Sequence, residues 1–214
     1  MVRIFSVEGN IGSGKSTFVR ILKEKYPNVV FLQEPVDEWM SITDEYGETI
    51  LEKFYKDKKK YSFSFQMMAY ISRIAQLQKT KADLIICERC ILTDRHVFAQ
   101  MLYDSGMIED VNFNIYLKWF DHFNMQIDGH IYINTLPTTC QKRIIERKRE
   151  GEVIELGYLE NCDAYHDKWL QDKDNVLNLD GELPFHVDDY VIQQWITKVD
   201  GFISDKKACE ERTL

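Results

Sequence analysis

No apolar run in this chain approaches membrane-spanning length, and no Pro/Gly/Ser-rich stretch interrupts it. The first absence removes a bilayer-spanning helix and a membrane partner; the second removes a linker and predicts one domain over residues 1–214. A surplus of positive charge is missing as well. The formal net charge is −8 over 214 residues, which argues against a nucleic-acid polymer as partner and predicts cations gathered locally. There is no disulfide framework among the five cysteines, at 87, 90, 140, 162 and 209. Cys87 and Cys90 form a CxxC without a second ligand pair, so these thiols are expected in the core. No internal repeat is visible, and the obvious charge run, Lys58-Lys59-Lys60, reads as a solvated segment. Strand residues begin at Val2 and a glycine-rich loop at Gly9, leaving no room for a targeting peptide, so a cytoplasmic location is expected.

What is present is an alternation. Short apolar runs at Val2–Val7, Val29–Leu32, Leu84–Cys87, His130–Ile133 and Val176–Leu179 are separated by stretches of helical period. Both-faced apolar strands between helices predict an α/β fold with a doubly wound, five-stranded parallel sheet. Helices are expected at Lys15–Tyr26, stopped by Pro27, and at Phe63–Thr80, where Phe63, Met67, Tyr70, Ile74 and Leu77 recur at helical spacing. Others are expected at Leu92–Asp104, Asn112–Phe123, Pro137–Arg149, Leu156–Gln171 and Asp188–Phe202.

Between the first strand and the first helix stand Gly9, Asn10, Ile11, Gly12, Ser13, Gly14, Lys15, Ser16 and Thr17. Gly, four residues, then Gly-Lys-Ser is the spacing of a phosphate-binding loop: backbone N–H groups and a helix N-terminus face phosphate oxygens, and one lysine reaches the outer phosphates. A nucleoside triphosphate is therefore the expected ligand. In a parallel sheet, ligands sit beyond the carboxyl ends of the strands. Strand two ends at Glu34, a carboxylate able to take the proton of an attacking alcohol, or alternatively an acidic residue of a helix first turn. Strand three ends at Glu88-Arg89, a magnesium-side carboxylate beside a cation for phosphoryl oxygens, or a structural ion pair. Asp94 is within reach of the same cleft. Arg143, Arg147 and Arg149 crowd the end of one helix and read as a lid over about residues 143–155, or as a salt-laced exposed helix.

The segments GNIGSGKST, QEPVDEW, SFSFQMMAYISRIAQL, ERCILTDRHVFA, LYDSG through DGHIYI, RIIERKREGE and YLE together resemble the deoxynucleoside kinase family over nearly the whole chain. That resemblance implies a P-loop kinase with an arginine-rich lid, transferring the γ-phosphoryl group of ATP to the 5′-hydroxyl of a deoxynucleoside in salvage. Glu34 corresponds to the general base and Arg89 to the residue holding the 5′-oxygen. Lys15 and the loop amides hold the donor phosphates, while Ser16 and Glu88 organise Mg²⁺. Arg143, Arg147 and Arg149 are the lid arginines, and the loop after strand five, with Glu182 and Phe185, adjoins the donor base. Tyr55 and Glu152 correspond to the 3′-hydroxyl clamp, Gln66 to the base-reading amide, and Phe65 and Phe98 to stacking walls beside Trp39. Ala69, Arg73 and Asp94 are similar to the deoxycytidine and deoxyguanosine kinase branch, which implies that dC or purine deoxynucleosides are favoured over dT. The resemblance also implies a homodimer, through helices between Leu92 and Phe123, and admits feedback inhibition by a deoxynucleoside triphosphate. Cys90 stands where the family usually carries serine, and the lid lacks the usual proline. Competing readings are a nucleoside monophosphate kinase of the thymidylate type, a broad or thymidine-preferring deoxynucleoside kinase, and a nucleotide-dependent switch.

Overall fold

The computed structural model describes residues 2–123, 125–148, 154–171 and 173–211, with side chains described as far as Asp205. Five strands form one parallel sheet: β1 (Arg3–Glu8), β2 (Val30–Leu32), β3 (Leu84–Glu88), β4 (Gly129–Asn134) and β5 (Val176–Asp180), in the order β2-β3-β1-β4-β5. The expected strands are all there, several extended by a residue at the carboxyl end. β1 pairs with β3 from Arg3 opposite Leu84 to Val7 opposite Glu88, and with β4 from Phe5 opposite Gly129 to Glu8 opposite Tyr132. This register brings Gly9, Glu88 and Arg89 to one edge, with β1 at the centre of the sheet.

Alternation along the strands supplies both faces. Phe5, Val7, Ile86 and Ile131 pack on one side against Phe18 and Leu22 of α1 (Lys15–Lys25) and against Trp195 and Val199, on the last helix. Ile4, Ile85 and Tyr132 pack on the other side, with Leu77, Val97 and Trp169. A separate apolar cluster lies off the sheet. It joins α2 (Val36–Ser41), α3 (Ile50–Lys56), α4 (Lys58–Lys79), α5 (Ile91–Thr93), α6 (Gln100–Asp104) and α7 (Asp110–His122) around Trp39, Phe54, Phe65 and Tyr70. The chain closes with α8 (Pro137–Arg147), α9 (Leu156–Leu170) and α10 (Asp189–Glu211). Among the described residues no helix is long and apolar enough to cross a membrane.

Three differences from expectation have local causes. α2 and α3 lack a readable period because they are short. α3 is instead fixed by a capping box in which Thr49 and Glu52 exchange hydrogen bonds, worth about 1 kcal/mol. α4 starts at Lys58 because the Asp57 side chain accepts from the Lys60 N–H, so the lysine run is a helical first turn, with Lys59 and Lys60 still exposed. The helix expected over Leu92–Asp104 is wound as a π-helix from Asp94 to Ala99, a distortion often found at functional sites.

Candidate active site

The loop after β1 is held by its own side chains. Asn10 Oδ1 accepts from the Ile11 N–H at 2.8 Å, and its Nδ2 donates to the Leu159 carbonyl at 2.8 Å, fastening the loop to α9. Gly14 has φ +103°, and a Cβ there would lie 2.6 Å from the Phe185 ring. Glycine is therefore required both by conformation and by contact. Lys15 Nζ donates to the Asn10 carbonyl at 2.6 Å; burial, and then Arg89, lower its pKa to about 7. Ser16 Oγ donates to Glu88 Oε1 at 2.6 Å, which joins the two expected metal-side oxygens. Ser13 Oγ is buried without a hydrogen-bond partner. Arg143 donates to the Ser13 carbonyl at 3.1 Å and to the Gly181 carbonyl at 2.8 Å, so it bridges the loop and the end of β5. Glu182, by contrast, accepts from the Leu136 N–H and the Thr139 hydroxyl and steadies the turn after β4. Arg149 and Glu152 lie outside the described residues.

The other half of the cleft is built around Glu34, just beyond β2. Arg73 Nη2 lies 2.6 Å and Arg89 Nε 3.2 Å from its Oε1. Burial pushes this carboxylate up, but Arg89, Arg73 and Lys15 together outweigh it and bring it down to about 2. Arg89 reaches its position from a left-handed backbone, φ +62°, which is uncommon for a residue with a side chain. Its Nη1 donates to the Gly9 carbonyl at 2.8 Å, and its guanidinium carbon sits 4.9 Å from the Phe98 ring centre.

Arg73 is held on three sides: Nη2 on Glu34, Nη1 on the Glu88 carbonyl at 2.9 Å, and Nε on Asp94 Oδ1 at 3.2 Å. Asp94 Oδ2 is 3.0 Å from the same Nε but off the N–H line, and it has no hydrogen bond. Gln66 Oε1 is likewise buried and unpartnered. Burial raises Asp94 to about 6 despite Arg73. Around these groups stand Trp39, edge-on to Phe65 at 5.3 Å, and Phe54, stacked on Phe65 at 4.7 Å. Trp39 Nε1 donates to Ser72 Oγ at 3.0 Å, which fixes the indole.

Both halves open into one cavity of about 750 Å³. From the loop side it is lined by Ile11, Gly12, Gly14, Lys15, Ser16 and Thr17, and from α8 by Arg143 and Arg147. Glu34, Tyr55, Ala69, Glu88 and Phe185 line it as well. Sequence reasoning missed Arg20, Glu146, Tyr158 and His186, which also line it. Their signals were weak: Arg20 is one turn beyond Ser16 on α1, and His186 directly follows Phe185.

A model of the deoxynucleoside kinase family matches residues 5–204. The chain belongs to the deoxynucleoside kinase family. It is 35% identical over 215 residues to a fowlpox virus (strain NVSL) protein described as a probable deoxycytidine kinase, covering 94% of this chain and 88% of that one. It is 33% identical to the deoxycytidine kinase of Homo sapiens over 206 residues, covering 84% and 79%, and 31% identical to deoxycytidine kinase 2 of Gallus gallus over 199 residues, covering 80% and 75%. This deoxynucleoside kinase is thus a phosphotransferase using ATP as donor.

The departure at Cys90 has its own surroundings in this kinase. Cys90 lies 3.8 Å from the Thr93 hydroxyl, which donates to Glu8, while Ser6 Oγ bonds His130 Nδ1 at 2.7 Å. Glu8, Cys90 and His130 present ligand-type atoms within 4.8 Å of one another. Burial, with Glu8 close by, pushes the Cys90 thiol well up, so it stays protonated. Cys87 takes no part and donates to the Phe5 carbonyl.

Proposed function

We propose that this kinase prefers a deoxynucleoside whose base carries an exocyclic amino group, deoxycytidine above all, over thymidine. One observation carries the reading: Gln66 Oε1 lacks a hydrogen-bond partner in the cavity wall beside Ala69, where Asp94 Oδ2 has no hydrogen bond beyond its ion pair with Arg73, 3.0 Å away. A buried acceptor left unpaired costs about 1–3 kcal/mol, which an N–H₂ donor removes and a carbonyl oxygen aggravates. The names of the relatives, deoxycytidine kinases, agree with it.

In the reaction, the 5′-oxygen forms a bond to the γ-phosphorus as the bond to the ADP oxygen breaks, and the hydroxyl proton passes to Glu34. Arg89 holds the 5′-oxygen, and Lys15 with the loop amides holds the donor phosphates. Arg143 and Arg147, one turn apart, cover the transferring group; Arg149 and Glu152 complete the lid and sugar clamp. Tyr55 faces the deoxyribose, Gln66 and Asp94 the base edge, and Phe65, Phe98 and Trp39 its faces. Phe185, with Glu182 behind the turn, closes the donor side. Ser16 and Glu88 fit a magnesium ion, since Mg²⁺ takes hard oxygen ligands and keeps room for water and phosphate oxygens. When bound, the ion neutralises phosphate charge.

The whole chain acts as one unit in this reading, and a cytoplasmic location suits four unpaired buried thiols, Cys87, Cys90, Cys140 and Cys162. A deoxynucleoside triphosphate can span the cavity, phosphates in the loop and base in the acceptor pocket, and so inhibit as an end product. A homodimer is supported by Val111, Ile115 and Trp119, exposed at four-residue spacing on α7. The base preference is tested by assaying dC, dA, dG, dT and dCMP side by side with ATP and Mg²⁺. We expect kcat/KM for dC to exceed that for dT at least tenfold, with dCMP inert. Equal or better use of dT contradicts the preference, and phosphorylation of dCMP favours the monophosphate-kinase reading.

A further inference from the structure

We propose that Glu8, Cys90 and His130 form a cation site separate from the Ser16 and Glu88 pair, one that takes a zinc-class divalent ion and rivets the turn carrying Arg89 to the sheet. The three side chains come from three segments. Glu8 ends β1 directly before Gly9, Cys90 follows Arg89 in the turn after β3, and His130 is the second residue of β4. All three are at most 2% exposed, and their ligand-type atoms lie within 4.8 Å of one another. Thiolate, imidazole and carboxylate make a zinc donor set, whereas Mg²⁺ asks for oxygens.

A second observation points to a ligand. Glu8 Oε2 accepts from the Thr93 hydroxyl, but Oε1 is fully buried with no hydrogen bond. Among the described residues, the basic side chain within 4.0 Å of it is His130, through Nδ1. Burial pushes His130 down, so the ring is neutral, leaving Glu8 without a charged partner at that distance and a ring lone pair for a metal. Ligand atoms around a tetrahedral zinc stand about 3.4–3.6 Å apart, so the cluster has only to draw in slightly. On binding, Nδ1 gives up its bond to Ser6 Oγ, which adjoins the fourth corner, and the Cys90 thiol releases its proton to solvent. One dication, one thiolate and one carboxylate then sum to zero charge in the core. Cys87, the other half of the CxxC, is turned to the Phe5 carbonyl, and Glu8 and His130 stand in its place.

Because these ligands are buried, the ion enters as the chain folds. The test refolds the reduced parent, Cys90→Ser, His130→Gln and Cys87→Ser with equimolar Co²⁺ or Zn²⁺ and an excess of Mg²⁺ to fill oxygen-only sites. It reads the thiolate-to-cobalt charge-transfer band, the zinc retained through gel filtration, and Tm. The parent is expected to retain one ion per chain, to show the band, and to gain several degrees in Tm with zinc. Cys87→Ser keeps all three. Cys90→Ser, which carries the residue usual in the family, loses the band and the gain in Tm. Losing a ligand costs no less than losing a ligand's hydrogen-bond partner, so His130→Gln should weaken binding about tenfold or more. Should refolding fail, the zinc content of the same proteins purified natively from zinc-supplemented cells carries the test, with the same pattern expected. A parent that retains no zinc, or a thiolate band that survives Cys90→Ser, overturns the proposal.

Discussion

Lys15 lies buried against the carbonyl of its own loop, with its pKa lowered to about 7 first by burial and then by Arg89. Phosphate oxygens favour the charged ammonium, so ATP binding raises the lysine and draws in a proton wherever the free group is neutral. Below pH 7 the lysine is already charged and no uptake is expected; above it, uptake approaches one proton and ATP affinity weakens as pH rises. Calorimetry at pH 8 in buffers of different ionisation heats should show this uptake, and an ATP-binding heat independent of buffer contradicts it. Asp94 titrates with the opposite consequence. Its pKa is raised to about 6, so acid removes the acceptor that the amino group needs. Affinity for dC should fall about tenfold between pH 7 and pH 5, and Asp94→Asn should bind weakly at both. An affinity unchanged across that range would separate Asp94 from base reading. Neither carboxylate nor lysine announces its pKa in the sequence, because each shift arises from residues tens of positions away.

At the scale of elements, the phosphate loop was fully legible, since its spacing is local and its neighbours, β1 and α1, are strongly patterned. Gly14→Ala shows what that spacing protects. The left-handed backbone costs an alanine about 1–2 kcal/mol, and the Cβ also meets the Phe185 ring. We expect Tm to fall by several degrees and ATP binding to be lost; an alanine variant with parental Tm and ATP affinity would show that the loop relaxes freely. The five strands were legible for the same reason, being apolar on both faces. α2 and α3 were not, because each is two turns or fewer and is held by its neighbours around Trp39 and Phe54. The π-helix was read as ordinary helix: its apolar positions look regular, and only packing reveals the extra residue in the turn that buries Asp94.

For the whole molecule, the exposed stripe of Val111, Ile115 and Trp119 is the apolar face left over once α7 has buried Phe113, Tyr116 and Phe120. Covering it with a second copy predicts a dimer that Trp119→Glu converts to monomer in sedimentation velocity, while a parent that sediments as a monomer removes the interface. Family resemblance named the candidate residues, and most of those described line one cavity, but their connections were not legible in the sequence. That Arg73 touches Glu34, 39 positions away in the chain, follows from β2, β3 and α4 converging at one end of the sheet. The account as a whole depends on Glu34 accepting the proton of the sugar hydroxyl, and Glu34→Gln tests this with almost no change of shape. Turnover with ATP should fall by about two to four orders of magnitude, while the Kd for the deoxynucleoside, followed by tryptophan fluorescence, stays within about threefold. Turnover retained within tenfold of the parent would contradict it.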